Sequence, residues 1–171
     1  MLQHFTPITT FVFDVDGVLT DGNVLLLDDG QMARQMNIKD GYAIQLAIKK
    51  GYRVVIISGG DSLAVKTRLE KLGVKDVFMK VDNKKDCLLQ YAMQYGLKWE
   101  QVLFMGDDIP DFSTMQLVGL ACCPADAVAE IKQICKYISS VQGGKGCARD
   151  VIEKVLKLNN HWDMETGIAS K

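Results

Sequence analysis

The stretch TFVFDVDG, residues 10–17, sets the fold of this 171-residue chain. Its first part is an apolar run rich in β-branched and aromatic residues, which predicts a buried β-strand over residues 10–15. Asp14 and Asp16 stand at the end of this run and Gly17 follows them, so a turn is expected there. Ligands of open parallel α/β sheets bind at the carboxyl ends of the strands. The stretch therefore predicts a sheet whose first strand ends in a site.

Beyond this stretch, short apolar runs alternate with longer segments whose apolar residues recur at helical spacing. This alternation predicts an α/β fold with a Rossmann-like, doubly wound, mostly parallel sheet. Further strands are predicted at Arg53–Ile57, Asp76–Met79, Gln101–Met105, Gly119–Cys122 and Tyr137–Ser139. Helices are predicted at Gly41–Lys50, Ser62–Leu72, Lys84–Tyr95, Ala125–Cys135 and Val151–Leu158. No repeat or linker separates these segments, so residues 1–171 are predicted to form one domain with a tail of about residues 159–171.

One segment, residues 18–37, departs from this alternation. An Asp-Gly turn at residues 28–30 lies between extended runs at residues 23–27 and 31–36, which is a good signal for a β-hairpin. We expect the hairpin to project just after the first strand. Residues 24–27 are four consecutive apolar side chains, which a monomer would leave partly in water. The hairpin is therefore expected to pack against other copies of the chain.

Composition limits the classes of function. The chain carries 20 basic and 21 acidic residues, a formal charge of -1, and so lacks the basic excess of a general nucleic-acid binder. Its apolar runs are shorter than the roughly 18 to 20 residues of a membrane span, and residues 1–10 lack the pattern of a secretory signal. The five cysteines form no CxxC pair, so we expect reduced thiols in a cytoplasmic protein.

Candidate site residues stand directly after the predicted strands or at the start of the next helix. They are Asp14, Asp16, Ser58, Gly59, Lys84, Asp107, Asp108 and Asp111. Because the carboxyl ends of parallel strands meet at one edge of a sheet, we expect these residues to converge.

Each residue type in this set has a chemical reason to be there. Clustered carboxylates repel one another unless a cation neutralises them, and oxygen ligands without histidine or thiolate favour Mg²⁺. An aspartate beside the metal can attack phosphorus and form an acyl phosphate, which water then cleaves. A second carboxylate two residues along can protonate the leaving alcohol and later activate water. Serine and lysine can bind the phosphoryl oxygens.

Each piece is weak when it stands alone. A DxDG run also begins calcium-binding EF-hand loops, but Val18 stands at the fifth position of such a loop and a strand precedes it. Gly-Asp-Asp and Ser-Gly-Gly occur in many turns, and an isolated lysine is usually solvated. The order of the pieces after successive strands is what supports a site.

At these residues the sequence resembles the haloacid dehalogenase superfamily of phosphotransferases. Residues 14–17 match its first motif, Ser58 the second, Lys84 the third and residues 106–111 the fourth. The resemblance implies that Asp14 is the nucleophile and that Asp16 is the acid and base. It also implies that Ser58, Gly59 and Lys84 bind the phosphoryl group. Mg²⁺ would then be bound by Asp14, Asp107 and the backbone carbonyl of Asp16, with Asp108 and Asp111 as supporting residues near the metal.

The spacing of these motifs narrows the resemblance. Asp14 and Ser58 are 44 residues apart, Ser58 and Lys84 are 26 apart, and Lys84 and Asp107 are 23 apart. Many members of the superfamily insert a cap domain in the first or second interval. Neither interval has room for one once the hairpin and the core helices are counted, so we expect a capless member.

Within the superfamily, the chain resembles a capless group of phosphatases that act on eight-carbon sugar-acid phosphates. The matching segments are residues 14–22, 39–42, 83–84, 106–108 and 143–150. In that group the hairpins of a homotetramer pack together and a neighbouring subunit helps to close the site. The resemblance therefore implies a homotetramer and a small sugar-acid phosphate as substrate.

Three positions depart from the pattern of this group. Gly60 stands where some members carry arginine and nine-carbon relatives carry glutamate, Lys145 where arginine is common, and Asp150 where glutamate is usual. A phosphatase of a nine-carbon sugar-acid phosphate, such as 2-keto-3-deoxynononate 9-phosphate, is therefore an alternative, although residues 39–42 favour the eight-carbon substrate.

Two alternatives belong to other classes of protein. Related domains serve as non-catalytic tetramerisation modules, but the catalytic set is intact here. Phospho-signalling receiver domains also cluster aspartates on an α/β fold, yet their phosphorylated aspartate follows a later strand and they run nearer 120 residues.

Arg149 is the candidate for binding the substrate's carboxylate. Guanidinium binds a carboxylate through two hydrogen bonds in one plane, which lysine cannot do. Arg149 follows the glycine-rich residues 143–146, which are flexible enough to fold over a site of the same or a neighbouring subunit. The alternative is that Arg149 begins the last helix and is solvated.

Overall fold

The structure, a computed structural model, describes residues 2–169. Six parallel strands form one sheet in the order β5-β4-β1-β6-β7-β8, and two short antiparallel strands form a separate hairpin. The strands are β1 (Thr10–Phe13), β2 (Leu25–Leu26), β3 (Met32–Ala33), β4 (Arg53–Ile57), β5 (Asp76–Phe78), β6 (Val102–Met105), β7 (Leu120–Cys123) and β8 (Tyr137–Ile138). The helices are α1 (Ile38–Lys49), α2 (Leu63–Lys71), α3 (Lys84–Tyr95), α4 (Phe112–Met115), α5 (Ala129–Ile134) and α6 (Cys147–Leu158).

The core strands are buried on both faces, which is why they read as continuous apolar runs rather than as alternating patterns. In β1, Phe11 and Phe13 pack in one apolar layer with α1, α2 and α6, whereas Val12 packs in the other with α3, α4 and α5. Strands β4 and β6 alternate in the same way. The predicted doubly wound sheet is confirmed, and no cap domain interrupts the chain within residues 2–169.

The winding of the sheet reverses next to β1. From β1 the chain moves outward through β4 to the edge strand β5, and then crosses back to β6 on the other side of β1. A crevice forms at such a switch point because the following helices lie on opposite faces. Asp14 follows β1 and Asp107 follows β6, so both carboxylates stand at this crevice.

The hairpin forms as the Asp-Gly turn predicts. Gly30 adopts a φ of 83°, a value that favours glycine, and Leu27 N–H donates to Gln31 O at 2.9 Å. Only two residues pair on each strand, and Leu25 and Leu26 are 64% and 73% exposed. The hairpin therefore presents its apolar side chains to the outside of the chain.

Helix α6 begins at Cys147, four residues before the predicted start at Val151. The cause is a contact distant in sequence, since the buried carboxylate of Asp40 accepts the N–H of Arg149 at 2.7 Å and caps the first turn. Helix α5 begins later than predicted because the N–H of Val128 donates to Asp107 O at 3.0 Å, which holds the preceding residues in a turn.

The tail runs back along α1. Lys50 forms an ion pair with Asp163, Lys49 with Glu165, and Trp162 packs against the apolar core. The predicted domain of residues 1–171 and tail of residues 159–171 both include Ser170 and Lys171, which lie outside the described residues, as does Met1. No helix in the described part of the chain is both long and apolar enough to span a bilayer.

Candidate active site

Asp14 lies at the base of the crevice. Its backbone N–H donates to Met105 O of β6 at 3.1 Å, which continues the pairing of β1 and β6 by one residue. The side chain is buried, with only 6% of the residue exposed. Burial, and then the nearby carboxylate of Asp111, raise the pKa of Asp14 to about 7, although Lys84 opposes the shift. The protein therefore places a carboxylate here that needs a compensating positive charge.

Lys84 supplies part of that charge. It is the first residue of α3, whose N-terminus is capped by the side chain of Asn83. Its ammonium lies 2.9 Å from Asp14 Oδ1 and 2.7 Å from Asp111 Oδ1. Burial opposes its charge, but the two carboxylates prevail and raise the pKa of Lys84. Lys84 therefore stays cationic within the crevice.

Asp107 and Asp111 come from the turn after β6. The backbone N–H of Asp107 donates to Asp111 Oδ2 at 3.1 Å, and the other oxygen of Asp111 accepts from Lys84. Burial, followed by the charges of Asp14 and Asp111, raises the pKa of Asp107 to about 7. Both oxygens of Asp111 are thus engaged by protein donors, and Asp111 acts as a support for Lys84 and Asp107.

Gly17 allows the two halves of the crevice to meet. A Cβ atom at this position would lie 1.9 Å from Asp107 Oδ2, and the backbone φ of 86° is one that side chains disfavour. The turn after β1 and the turn after β6 can therefore approach only because residue 17 has no side chain.

The donor set fits a hard divalent cation. Carboxylate oxygens of Asp14, Asp107 and Asp111 lie within 4.8 Å of one another. Asp107 Oδ1 is buried and has no hydrogen-bond partner among residues 2–169, which is costly unless a cation takes that place. Oxygen ligands of this kind suit Mg²⁺.

Ser58 closes the opposite side of the crevice. It follows β4, is 1% exposed, and its Oγ accepts the N–H of Gly60 at 3.1 Å. The N–H of Ser58 donates to Phe78 O of the neighbouring strand, which holds the loop in place. A cavity of about 300 Å³ opens between these elements. Its lining includes Asp14, Asp16, Ser58, Gly59, Lys84, Asp107, Asp108 and Asp111.

Asp108 differs from the other carboxylates because it is exposed. Its side chain accepts the N–H of Ile109 at 2.8 Å and caps the short 3-10 turn at Ile109–Asp111. It therefore supports the turn that carries Asp111.

Asp16 has a partner that the sequence analysis missed. Arg34, just beyond the hairpin strand β3, donates from Nε to Asp16 Oδ1 at 2.7 Å and from Nη2 to Oδ2 at 3.1 Å. The one available signal was that Arg34 is the only basic residue of the hairpin segment 18–37. Its two-bond geometry depends on a tertiary contact that local patterns do not contain.

Arg149 is not among the residues that line this cavity. Its Nε donates to Glu153 at 3.2 Å, and its guanidinium lies over the rings of Tyr42 and Trp162. Arg149 thus lies in the first turn of the last helix, as the second interpretation predicts, and does not reach the crevice of its own chain.

The glycine-rich segment before Arg149 is also not a free flap. Gly143 is buried, its N–H donates to Asp126, and Gly144 N–H donates to Val18 O at 2.9 Å. A Cβ at Gly143 would lie 2.0 Å from Gly17 O. The expectation of a flexible segment is therefore corrected, because these glycines pack main chain against main chain behind the turn that follows β1.

Comparison with known proteins agrees with this geometry. Residues 29–119 match the family model of haloacid dehalogenase-like hydrolases. The chain is 30% identical over 160 residues to a 3-deoxy-D-manno-octulosonate 8-phosphate phosphatase of Escherichia coli K12, covering 94% of this chain and 85% of the relative.

Solved structures agree as well. The phosphatase of that name from Yersinia pestis superposes with a TM-score of 0.93 at 28% identity, over 98% of this chain and 90% of that one. The Moraxella catarrhalis enzyme, solved with magnesium, phosphate and KDO, gives 0.90 at 28% identity, over 94% and 92%.

The family is assigned from the sheet order, the motifs after the strands and the family match, which all agree. This chain belongs to the haloacid dehalogenase-like hydrolase family, and it is a phosphoric monoester hydrolase.

Proposed function

We propose that the chain hydrolyses 3-deoxy-D-manno-octulosonate 8-phosphate to the free sugar acid and phosphate through a phosphorylated Asp14. The observation that carries this proposal is the match to phosphatases of that substrate over nearly the whole chain. The site supports it, because a buried carboxylate, a buried lysine and a buried serine line one crevice. The proposal includes a homotetramer, a role in lipopolysaccharide biosynthesis and a place in the cytoplasm, where the five unpaired cysteines would stay reduced.

In the first step, an oxygen of Asp14 attacks phosphorus and the bond from phosphorus to the sugar oxygen breaks. Asp16 donates a proton to that leaving oxygen, so the sugar acid departs as a neutral alcohol at this position. Lys84, already 2.9 Å from Asp14, is placed to bind the phosphoryl oxygens, and Ser58 can donate its hydroxyl to the same group.

In the second step, Asp16 takes a proton from water while the water oxygen attacks phosphorus. The bond to Asp14 breaks, and the products are inorganic phosphate and the original carboxylate. The same residue serves as acid and then as base, so one turnover leaves its protonation unchanged.

Mg²⁺ is the cofactor of this family of phosphatases, and Asp14, Asp107 and the backbone carbonyl of Asp16 would hold it. When bound, it neutralises the carboxylates and the charge that develops on the phosphoryl oxygens. Asp111 and Asp108 would support this set, the first by its bonds to Lys84 and Asp107.

A phosphate-release screen tests the function. We expect 3-deoxy-D-manno-octulosonate 8-phosphate to give the highest kcat/KM among eight- and nine-carbon sugar-acid phosphates. A higher value for 2-keto-3-deoxynononate 9-phosphate would replace the eight-carbon substrate with the nine-carbon one. Asp16→Asn serves as a matched control, because it keeps the shape of the side chain and should lose roughly 10²- to 10⁴-fold in kcat. Absence of phosphate release from every ester would favour a tetramerisation module instead.

A further inference from the structure

Arg34 contacts the candidate acid and base in an unusual way for a residue of an exposed hairpin. Its neighbours Ala33 and Gln35 are exposed, yet the Arg34 side chain is only 10% exposed because it turns inward onto Asp16. The contact is side-on, since Nε and Nη2 each take one carboxylate oxygen. The hydrogen bonds to Asp16 raise the pKa of Arg34 and outweigh desolvation, which opposes its charge. The hairpin therefore places one fixed positive charge beside the site.

The contact with Asp16 leaves some N–H groups of the Arg34 guanidinium without an acceptor within residues 2–169. A guanidinium has five N–H groups in one plane. Asp16 takes two of them, and Met32 O accepts a long bond of 3.4 Å from Nη1. One N–H on each terminal nitrogen remains, and together these form the end-on pair that binds a second carboxylate in the same plane. Arg34 can thus hold Asp16 and bind another carboxylate at the same time.

Arg34 also lines a second cavity. This cavity has a volume of about 440 Å³ and opens between the hairpin and α2. None of its described lining residues is acidic, and Arg68 lines it together with Arg34. On the proposed function Asp16 donates its proton to the leaving oxygen, and Arg34 both contacts Asp16 and lines this cavity, so Arg34 connects the leaving group's position to the cavity. Most of the other lining residues are apolar, so an anionic group in this cavity would find its charged partners at the two arginines.

Gly60 provides the space for this arrangement. A Cβ atom at position 60 would lie 3.1 Å from Asp16 Oδ2 and 3.5 Å from Arg34 Nη2. A longer side chain at that position would compete for the same space. The absence of a side chain at position 60 and the inward turn of Arg34 are therefore two parts of one arrangement.

We propose that Arg34 determines specificity by binding a carboxylate on the leaving group with its end-on donor pair, while its side-on pair orients Asp16. The inference rests on the proposed function, since it assigns a residue to the sugar-acid end of that substrate. The cationic partner of the substrate's carboxylate thus lies on the hairpin rather than in the segment around Arg149.

Product inhibition tests whether Arg34 binds the sugar acid's carboxylate. Binding of the product does not require the proton transfer by Asp16, so the inhibition constant reports on Arg34 alone. Hydrolysis of p-nitrophenyl phosphate is the reporter, and 3-deoxy-D-manno-octulosonate and inorganic phosphate are the inhibitors. In Arg34→Gln we expect the inhibition constant of the sugar acid to rise roughly 10- to 100-fold, as for loss of a charged hydrogen-bond pair. The constant for phosphate should change by less than about threefold. In Arg34→Lys the inhibition constant of the sugar acid should lie between the wild-type and Arg34→Gln values, because lysine keeps the charge but cannot form the planar pair.

Arg53→Gln is the matched control, because it removes the same charge at the start of β4, the end of the strand remote from Ser58. It should leave both inhibition constants unchanged. A misfolded fraction in Arg34→Gln lowers the rate but not the inhibition constants, so partial loss of folding does not mimic the expected result.

The possible outcomes separate the two proposals. Equal changes in both constants, or no change in either, would overturn the role of Arg34 while the proposed function stands. A wild-type enzyme that hydrolyses p-nitrophenyl phosphate but releases no phosphate from 3-deoxy-D-manno-octulosonate 8-phosphate would overturn the proposed substrate, and the role of Arg34 with it.

Discussion

The crevice at the sheet edge and the hairpin beside it are built in opposite ways. The crevice holds its carboxylates buried, with Lys84 between Asp14 and Asp111 and with Gly17 in close contact with Asp107. The hairpin pairs two residues on each strand and exposes Leu25 and Leu26. A rigid edge suits phosphoryl transfer, which needs fixed charges, whereas an exposed hairpin suits contacts that differ among substrates and partners. On the proposed function, the sheet edge carries out the phosphoryl transfer and the hairpin selects the substrate and the partner subunit.

The sharpest test of the sheet edge is Asp14→Asn. We expect kcat to fall by roughly 10⁴-fold or more, because the amide cannot form the acyl phosphate. The fold should remain, since Lys84 keeps its bond to Asp111. Phosphate release measures the first expectation and circular dichroism the second. A folded variant with near wild-type turnover would rule out the aspartyl-phosphate route.

Removal of the metal should give the next largest effect. We expect chelator to abolish turnover and Mg²⁺ to restore it, because Lys84 alone does not neutralise the three clustered carboxylates. Full activity in a chelator-treated, dialysed enzyme would contradict the metal assignment.

The same cluster predicts a pH dependence of stability. The pKa values of Asp14 and Asp107 are raised to about 7 from 3.8, so between pH 4 and 7 the folded chain binds more protons than the unfolded chain. The contribution of these two carboxyl groups to stability in chelator should therefore be fully present near pH 4 and be lost as the pH rises through 7. Mg²⁺ at 100 times its Kd adds about 2.7 kcal/mol and should do so mainly above pH 7, where both carboxylates are ionised. Thermal melting at pH 5 and pH 8 measures this difference, and an equal Mg²⁺ effect at both would contradict it.

Leu26→Glu tests whether the exposed hairpin holds the subunits of an assembly together. The added charge should disperse the assembly without loss of melting cooperativity, because residue 26 is 73% exposed in the single chain. Light scattering should change from a tetramer to a species of about 19 kDa. Leu63→Glu, an equally apolar and exposed residue on α2, is the matched control and should leave the assembly intact. A wild-type chain that is already monomeric at micromolar concentration would contradict the assembly itself.

The smallest expected effect belongs to Arg149→Ala. Loss of the pair with Glu153 and of the contacts with Tyr42 and Trp162 should cost about 1 kcal/mol of stability. The kcat/KM values for sugar-acid phosphate and p-nitrophenyl phosphate should fall equally, if at all. A selective loss on the sugar-acid phosphate would show that Arg149 contacts substrate, in which case the donor must be a neighbouring subunit.

The parts of the molecule that the sequence predicted are those set by local patterns. The apolar runs predicted all six sheet strands to within two residues, and the Asp-Gly turn predicted the hairpin. The aspartates after β1 and β6 converge because the strand order brings these strands together, which general rules for parallel sheets anticipate. Contacts between distant segments were not predictable. The cap that Asp40 provides to α6 and the approach of Arg34 to Asp16 each join residues whose neighbours in sequence contain no sign of the other.

The close contact of Gly143 and Gly144 with the turn after β1 has a consequence for the order in which the protein acquires activity. The proposed nucleophile, Asp14, lies in the first tenth of the chain, but the backbone that supports its turn lies beyond residue 140. During synthesis, the first strand leaves the ribosome long before β6 and the glycine segment exist. A nascent chain stalled before residue 140 would hold every predicted catalytic side chain and still lack the surface on which their turn is built. We therefore expect phosphatase activity to arise only when synthesis is nearly complete.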